Sequence, residues 1–173
     1  QWITDFRKIL KLKIGKNWTV YNSRGNVKII DFYLHHIFGP DESISKFTGW
    51  LFYELKKKNN IIKLSPGTQL RDFIYIKDIV RAIKYILFYG SIDFMPNRIE
   101  IGTGVKVSLK EFVCLLHQVF KSESKLLFGA NDFHNGELKD INTNPEFLYS
   151  IGWKPKFSIK QAGLDMLQNQ YQL

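Results

Sequence analysis

Disulfides, long apolar runs and ready-made metal motifs are all missing from this 173-residue chain. A single cysteine, Cys114, cannot close an internal bridge, which suits a reducing, cytoplasmic compartment. No stretch approaches about 18 uncharged apolar residues, so neither a membrane span nor a membrane partner is expected. No apolar N-terminal segment marks a secretory signal, and the sequon Asn17-Trp18-Thr19 would matter only in a secreted protein. His35, His36, His117 and His134, with one cysteine, give no zinc-type spacing, so no metal is expected. Neighbours on a strand face opposite ways, so His35 and His36 are not expected to share a metal. The P-loop pattern is absent. Gly102-Thr103-Gly104 lacks the third glycine of G-x-G-x-x-G and reads as a turn.

Acidic residues are also scarce, 16 against 25 lysines and arginines, for a formal charge of +9. That balance suits an anionic partner, a phosphorylated metabolite or a nucleic acid, or simply a lysine-rich solvated surface. The run Lys56-Lys57-Lys58 closes a predicted helix, where cations suit the C-terminal dipole. Phe47, Trp50, Phe112 and Phe120 fall at core spacing, and no basic patch interleaves with exposed stacking rings. A nucleic-acid-binding domain therefore stays only as a remote alternative.

What is present is an alternation of strands and helices. Residues 2–12 have helical spacing through Ile3, Phe6, Ile9 and Leu10. Residues 26–38 form a nearly continuous β-rich apolar run, as in a strand buried on both faces. A helix is expected over 43–58, a strand over 61–64, a turn at Ser65-Pro66-Gly67 and a second strand over 73–76. Asp78 is expected to cap the next helix. Strands follow over 98–101 and 125–128, and Ser108 with Glu111 and Ser158 with Gln161 read as capping boxes. The pattern is α/β with a mainly parallel sheet, without internal repeats or low-complexity tracts.

The densest stretch is Gly67-Thr68-Gln69-Leu70-Arg71-Asp72-Phe73-Ile74-Tyr75-Ile76-Lys77-Asp78, where a polar turn runs into an apolar strand. Arginine's fork suits bidentate phosphate contacts, which makes Arg71 a candidate anion ligand. The competing reading is a surface ion pair between Arg71 and Asp72.

Residues 67–82 resemble the G-x-Q-x-R-D-F-I-Y-V-x-D-V-x-x-A signature of extended short-chain dehydrogenase/reductases, the NAD-dependent epimerase/dehydratase family acting on nucleotide sugars. Leu34-His35-His36-Ile37-Phe38-Gly39-Pro40 resembles that family's L-F-N-V-Y-G-P. Ile99-Glu100-Ile101-Gly102-Thr103-Gly104 resembles Y-N-I-G-T-G, and Ile151-Gly152-Trp153-Lys154-Pro155 resembles L-G-W-x-P. Together these cover about residues 26–170. Lys46-Phe47, Leu127-Phe128-Gly129-Ala130 and His36 resemble the CDP-abequose/CDP-paratose synthase branch.

The resemblance implies the C-terminal half of a Rossmann-like extended fold. Residues 26–40 and 73–104 would belong to the Rossmann-like core, and 41–72 and 105–173 to a small substrate-binding part. It implies an NAD or NADP cofactor, a CDP-, dTDP- or UDP-linked sugar as substrate, and reduction of a 4-keto-6-deoxy sugar for O-antigen synthesis. It leaves a homodimer open. Arg71 would contact the nucleotide phosphate, His36 would face the sugar diphosphate and Lys46 would lie near the phosphates. Glu137 matches the acidic residue of the family's R-x-G-D/E element, beside the nucleotide ribose, and His134 takes that element's arginine position. The family's catalytic Tyr-x-x-x-Lys aligns, counting back without gaps, with Arg7 and Lys11, so the lysine is matched and the tyrosine is not. The chain opens on Gln1, and the expectation is a truncated or processed piece that is inactive alone.

Overall fold

The computed structural model describes residues 10–11, 18–21, 27–57, 60–88, 94–132 and 143–169. Strands β1 (Leu10–Lys11), β2 (Trp18–Tyr21) and β3 (Val27–Leu34) pair antiparallel in sequence order. β3 then pairs in parallel with β8 (Arg98–Ile101), in the register Tyr33 to Glu100 and Leu34 to Ile101. The helical expectation for residues 2–12 fails at Leu10 and Lys11, which are strand; residues 1–9 and 12 lie outside the described residues.

The long strand expected over 26–38 is two strands. β3 ends at Leu34, and β4 (His36–Phe38) pairs in parallel with a different neighbour, β7 (Phe73–Tyr75). The physical reason is that one chain serves two ladders that diverge at His35. Nor is β3 buried on both faces. Ile30 and Phe32 are buried, whereas Tyr33 is exposed and carries the Arg98 guanidinium 3.5 Å above its ring.

Helix α1 (Phe47–Lys56) starts later than expected and leads to β5 (Ile61–Leu64), which pairs in parallel with β10 (Lys125–Phe128). The two-residue β6 (Leu70–Arg71) pairs antiparallel with β9 (Val107–Ser108). Parallel and antiparallel pairings are thus mixed among the described residues. Helix α2 (Ile76–Phe88) follows β7 directly, and α3 (Leu109–Phe120) follows β9. The short α4 (Glu146–Ser150) and α5 (Ile159–Asn169) complete the order. The Ser158–Gln161 capping box forms in both directions, Gln161 Oε1 accepting from the Ser158 N–H at 2.9 Å and Ser158 Oγ from the Gln161 N–H at 3.3 Å, and at the other site Ser108 Oγ caps its helix by accepting from the Glu111 N–H at 3.1 Å. No helix among the described residues is long and apolar enough to cross a membrane.

Strand β7 divides the core. Its side chains alternate, so Phe73 and Tyr75 enter one apolar cluster and Ile74 the other. The first cluster holds Phe38, Leu51, Ile62, Phe112 and Leu116; the second holds Ile30, Phe32, Ile79, Ile99 and Trp153. Phe73 stacks on Phe112 at 3.7 Å between centroids, and Phe38 meets Phe112 edge-on at 5.3 Å. Burying each such side chain contributes about 1.5–3 kcal/mol.

Asp78 does not cap its own helix as expected. Its fully buried carboxylate accepts from the backbone N–H groups of Lys156 and Phe157, both at 2.9 Å, and pairs with Arg81 at 2.5 Å. It lies in the first turn of α2, already past the cap position, so its side chain reaches the chain that enters α5.

Tyr75 donates to Asp165 at 2.6 Å, and Lys77 pairs with the same carboxylate. Burial pushes the Tyr75 phenol well above its ordinary value of 10.0, and the bond to Asp165 and that group's charge add to the effect. The native state therefore favours the neutral phenol. This contribution is present below about pH 10 and is lost as pH rises beyond it toward the folded value. Urea titrations from pH 8 to 11 should show wild type losing stability more steeply above about pH 10 than Tyr75→Phe; equal slopes would contradict the assignment.

Candidate ligand cavity and its supporting turn

Arg71 and Asp72 follow one another and do different work. Arg71, on β6, is only 5% exposed and lines a cavity of about 710 Å³. Its Nη1 donates to the Leu70 carbonyl at 2.8 Å, which holds one arm of the guanidinium fork. Asp72 is 1% exposed, and its carboxylate serves the 102–104 turn. It accepts from the Thr103 N–H at 2.9 Å, the Gly104 N–H at 2.8 Å and the Thr103 hydroxyl at 2.5 Å. The surface ion-pair reading of Arg71 with Asp72 therefore gives way: both residues are buried, and Asp72 is engaged by the turn.

That turn also tests the cofactor reading of Gly102-Thr103-Gly104. Its N–H groups at Thr103 and Gly104 are spent on Asp72. A side chain at Gly102 would meet Thr143 Cγ2 at 2.3 Å and Asp72 Oδ2 at 2.6 Å. The glycine is needed for internal packing, and the turn does not fit a dinucleotide pyrophosphate.

The same cavity is lined by His36 on β4 and by Lys46. The His36 ring packs at 5.8 Å from Phe73. Lys46 precedes α1; it is 69% exposed and lies 3.6 Å from Glu42. Three of the expected site residues, Arg71, His36 and Lys46, are thus brought to one cavity. His134 and Glu137 lie outside the described residues. Lys11 sits on β1 with its backbone paired to Thr19, and Arg7 lies outside the described residues.

Both His35 and His36 line the cavity, although strand alternation predicts opposite faces. The divergence of the two ladders at His35 breaks the alternation. Among the described residues no group of three His, Cys, Asp or Glu side chains could hold a metal ion.

Sequence reasoning missed several lining residues. Lys63 projects from β5 between the buried Ile62 and Leu64, a position that the alternation of that strand marks. Asn131 lines the cavity too, and its side chain donates to the Lys63 carbonyl at 3.0 Å. Phe47 and Trp50, with rings 6.0 Å apart, supply an aromatic wall. Gly49 lets the 42–43 segment cross α1, because a side chain there would meet the Ser43 carbonyl at 2.3 Å. Lys46, Lys63 and Arg71 face two carboxylates, Glu42 and Asp132. Glu42 is already engaged by the Thr48 hydroxyl and Lys46. The cavity thus combines cations, imidazoles and rings, a donor set suited to a phosphorylated ligand with a planar part.

A sequence profile described as the NAD dependent epimerase/dehydratase family matches residues 9–102. The chain belongs to the NAD-dependent epimerase/dehydratase family. CDP-abequose synthase of Salmonella typhimurium is 31% identical over 152 residues, covering 86% of this chain and 50% of the relative. CDP-abequose synthase of Yersinia pseudotuberculosis is 26% identical over 141 residues, covering 82% and 47%. The family member described here therefore spans about half the length of the curated relatives it matches.

Two solved structures share its fold. UDP-glucose 4-epimerase of Thermus thermophilus, in complex with NAD, superposes with a TM-score of 0.68 at 15% identity, covering 83% of this chain and 46% of that one. UDP-N-acetylglucosamine 4-epimerase of Methanobrevibacter ruminantium, in complex with UDP-N-acetylmuramic acid, gives 0.64 at 19% identity, covering 83% and 46%. This family member thus has the Rossmann-like α/β fold of the extended short-chain dehydrogenase/reductases.

Replacing Asp72 by alanine removes a buried carboxylate and strands two part-buried amides and a hydroxyl. Asp72→Ala should lower unfolding free energy by roughly 2–4 kcal/mol in urea denaturation; a change within about 0.5 kcal/mol, the scale of an ordinary surface substitution, would contradict the clamp.

Proposed function

We propose that this chain supplies the sugar-nucleotide-binding part of an NAD(P)-dependent oxidoreductase that reduces a 4-keto-6-deoxy sugar linked to CDP, in the service of O-antigen synthesis. The observation that carries the reading is the convergence of Arg71, His36 and Lys46 on one cavity. The likeness to CDP-abequose synthases supports the choice of CDP over other nucleotides. In this reading Arg71 holds a diphosphate oxygen, Lys46 adds charge at the mouth, and the Phe47 and Trp50 wall takes the planar base. The cofactor would supply the hydride; the residues of this chain bind and orient the sugar nucleotide. The proposed division places the core strands at 26–40 and 73–104 and the substrate-binding part at 41–72 and 105–173.

A second reading, a sugar-nucleotide binder without turnover of its own, is favoured by one observation. Counting back without gaps, the family's Tyr-x-x-x-Lys falls on Arg7 and Lys11, so the sequence matches the lysine and not the tyrosine that would donate the proton. The 173-residue chain alone is accordingly expected to show no NADPH oxidation with a CDP-4-keto-6-deoxy sugar; turnover above the protein-free control would reject this second reading. Arg71→Ala should weaken calorimetric binding of CDP-glucose by roughly 1.5–3 kcal/mol, the range of a charged hydrogen bond. Unchanged affinity would remove Arg71 from the site.

A further inference from the structure

His35 stands where the β3 and β4 ladders part, and it lines the cavity beside His36. Its Nε2 is buried, makes no hydrogen bond among the described residues, and lies 3.7 Å from Glu100 Oε2. That separation is too long for a hydrogen bond but close enough for charge pairing. Glu100 itself is pinned. Its Oε2 accepts from the Asn144 N–H at 2.9 Å, and its Oε1 accepts from Arg98 at 3.1 Å. Arg98 is in turn stacked on Tyr33. A fixed carboxylate therefore stands behind an imidazole at the cavity wall. The titratable and charged groups around this imidazole are Glu100 and Arg98 on β8 and, around the cavity, His36, Glu42, Lys46, Lys63, Arg71 and Asp132.

We propose that His35, backed by Glu100, contacts the ligand directly: the imidazole takes up a proton on binding and, as an imidazolium, bridges Glu100 and an anionic oxygen of the ligand's diphosphate. This rests on the sugar-nucleotide reading of the cavity. The ring's two nitrogens divide the work, Nε2–H toward the carboxylate and Nδ1–H toward the ligand. The proton comes from solvent, and no covalent bond changes. Neither neighbour could replace this function. A carboxylate alone would repel the diphosphate, and a neutral ring could not satisfy two acceptors at once.

The test is calorimetric titration of CDP-glucose, whose diphosphate diester does not titrate near neutrality, into the full chain. Titrations in HEPES and in Tris near neutral pH reveal proton uptake as a difference in apparent enthalpy. Wild type should take up a fraction of a proton. His35→Gln should abolish that uptake and weaken binding at least about fivefold, within the range of a lost charged hydrogen bond. Glu100→Gln, which leaves the imidazole in place, should also reduce the uptake, and the double variant should bind no more weakly than His35→Gln. Thermal melts confirm that each variant is folded. Wild-type affinity and undiminished buffer dependence in His35→Gln would overturn the proposal, while weakening by Arg71→Ala in the same series would leave the cavity reading standing. Absence of CDP-glucose binding by wild type would overturn both.

Discussion

The fold of this half-length family member depends on where the Asp72 carboxylate is spent. Three donors from Thr103 and Gly104 converge on it at the C-terminal end of β8. The bond set ties the β6–β7 junction to the turn that closes β8, across 31 residues of sequence. With Asp72 committed to one side, Arg71 is held at the cavity. A buried carboxylate is costly unless its oxygens are satisfied, and here backbone amides satisfy them. The cavity's arginine thus stands next in sequence to an anion that is engaged elsewhere.

The same division runs through the rest of the signature. Asp78 fastens the entry of α5, Tyr75 reaches Asp165, and Phe73 and Ile74 fill the two apolar clusters. Two residues of the stretch 70–78, Arg71 and Phe73, line the cavity. A stretch dense in motif residues is therefore mostly scaffold, and its recognisable pattern reflects packing as much as chemistry.

How much of this was legible in the sequence depended on the range of the interaction. Local rules placed β5, β8 and β10 at their observed bounds, the Ser158–Gln161 capping box and the Ser108 cap, because alternation and S-x-x-E/Q spacing act within a few residues. Long-range competition was not legible. The apolar run of residues 26–38 gave no sign that it would split between β8 and β7 at His35. Nothing local marked Asp78 as a staple for residues 156–157 rather than a cap. In the cavity, Arg71 was marked by its fork chemistry as well as by family resemblance, and His36 and Lys46 by family resemblance, whereas Lys63 lies on β5 and Asn131 follows β10, strands whose paired residues are 64 apart in sequence. No single-segment pattern encodes that meeting.

The central claim is that the cavity beneath α1 receives the diphosphate of a sugar nucleotide at Arg71. The most direct measurement is a crystal structure of this chain with bound CDP-glucose. The account predicts a diphosphate within hydrogen-bond distance of the Arg71 guanidinium, with the base against Phe47 and Trp50. A ligand seated elsewhere, with the Arg71 cavity filled only by solvent, would contradict it.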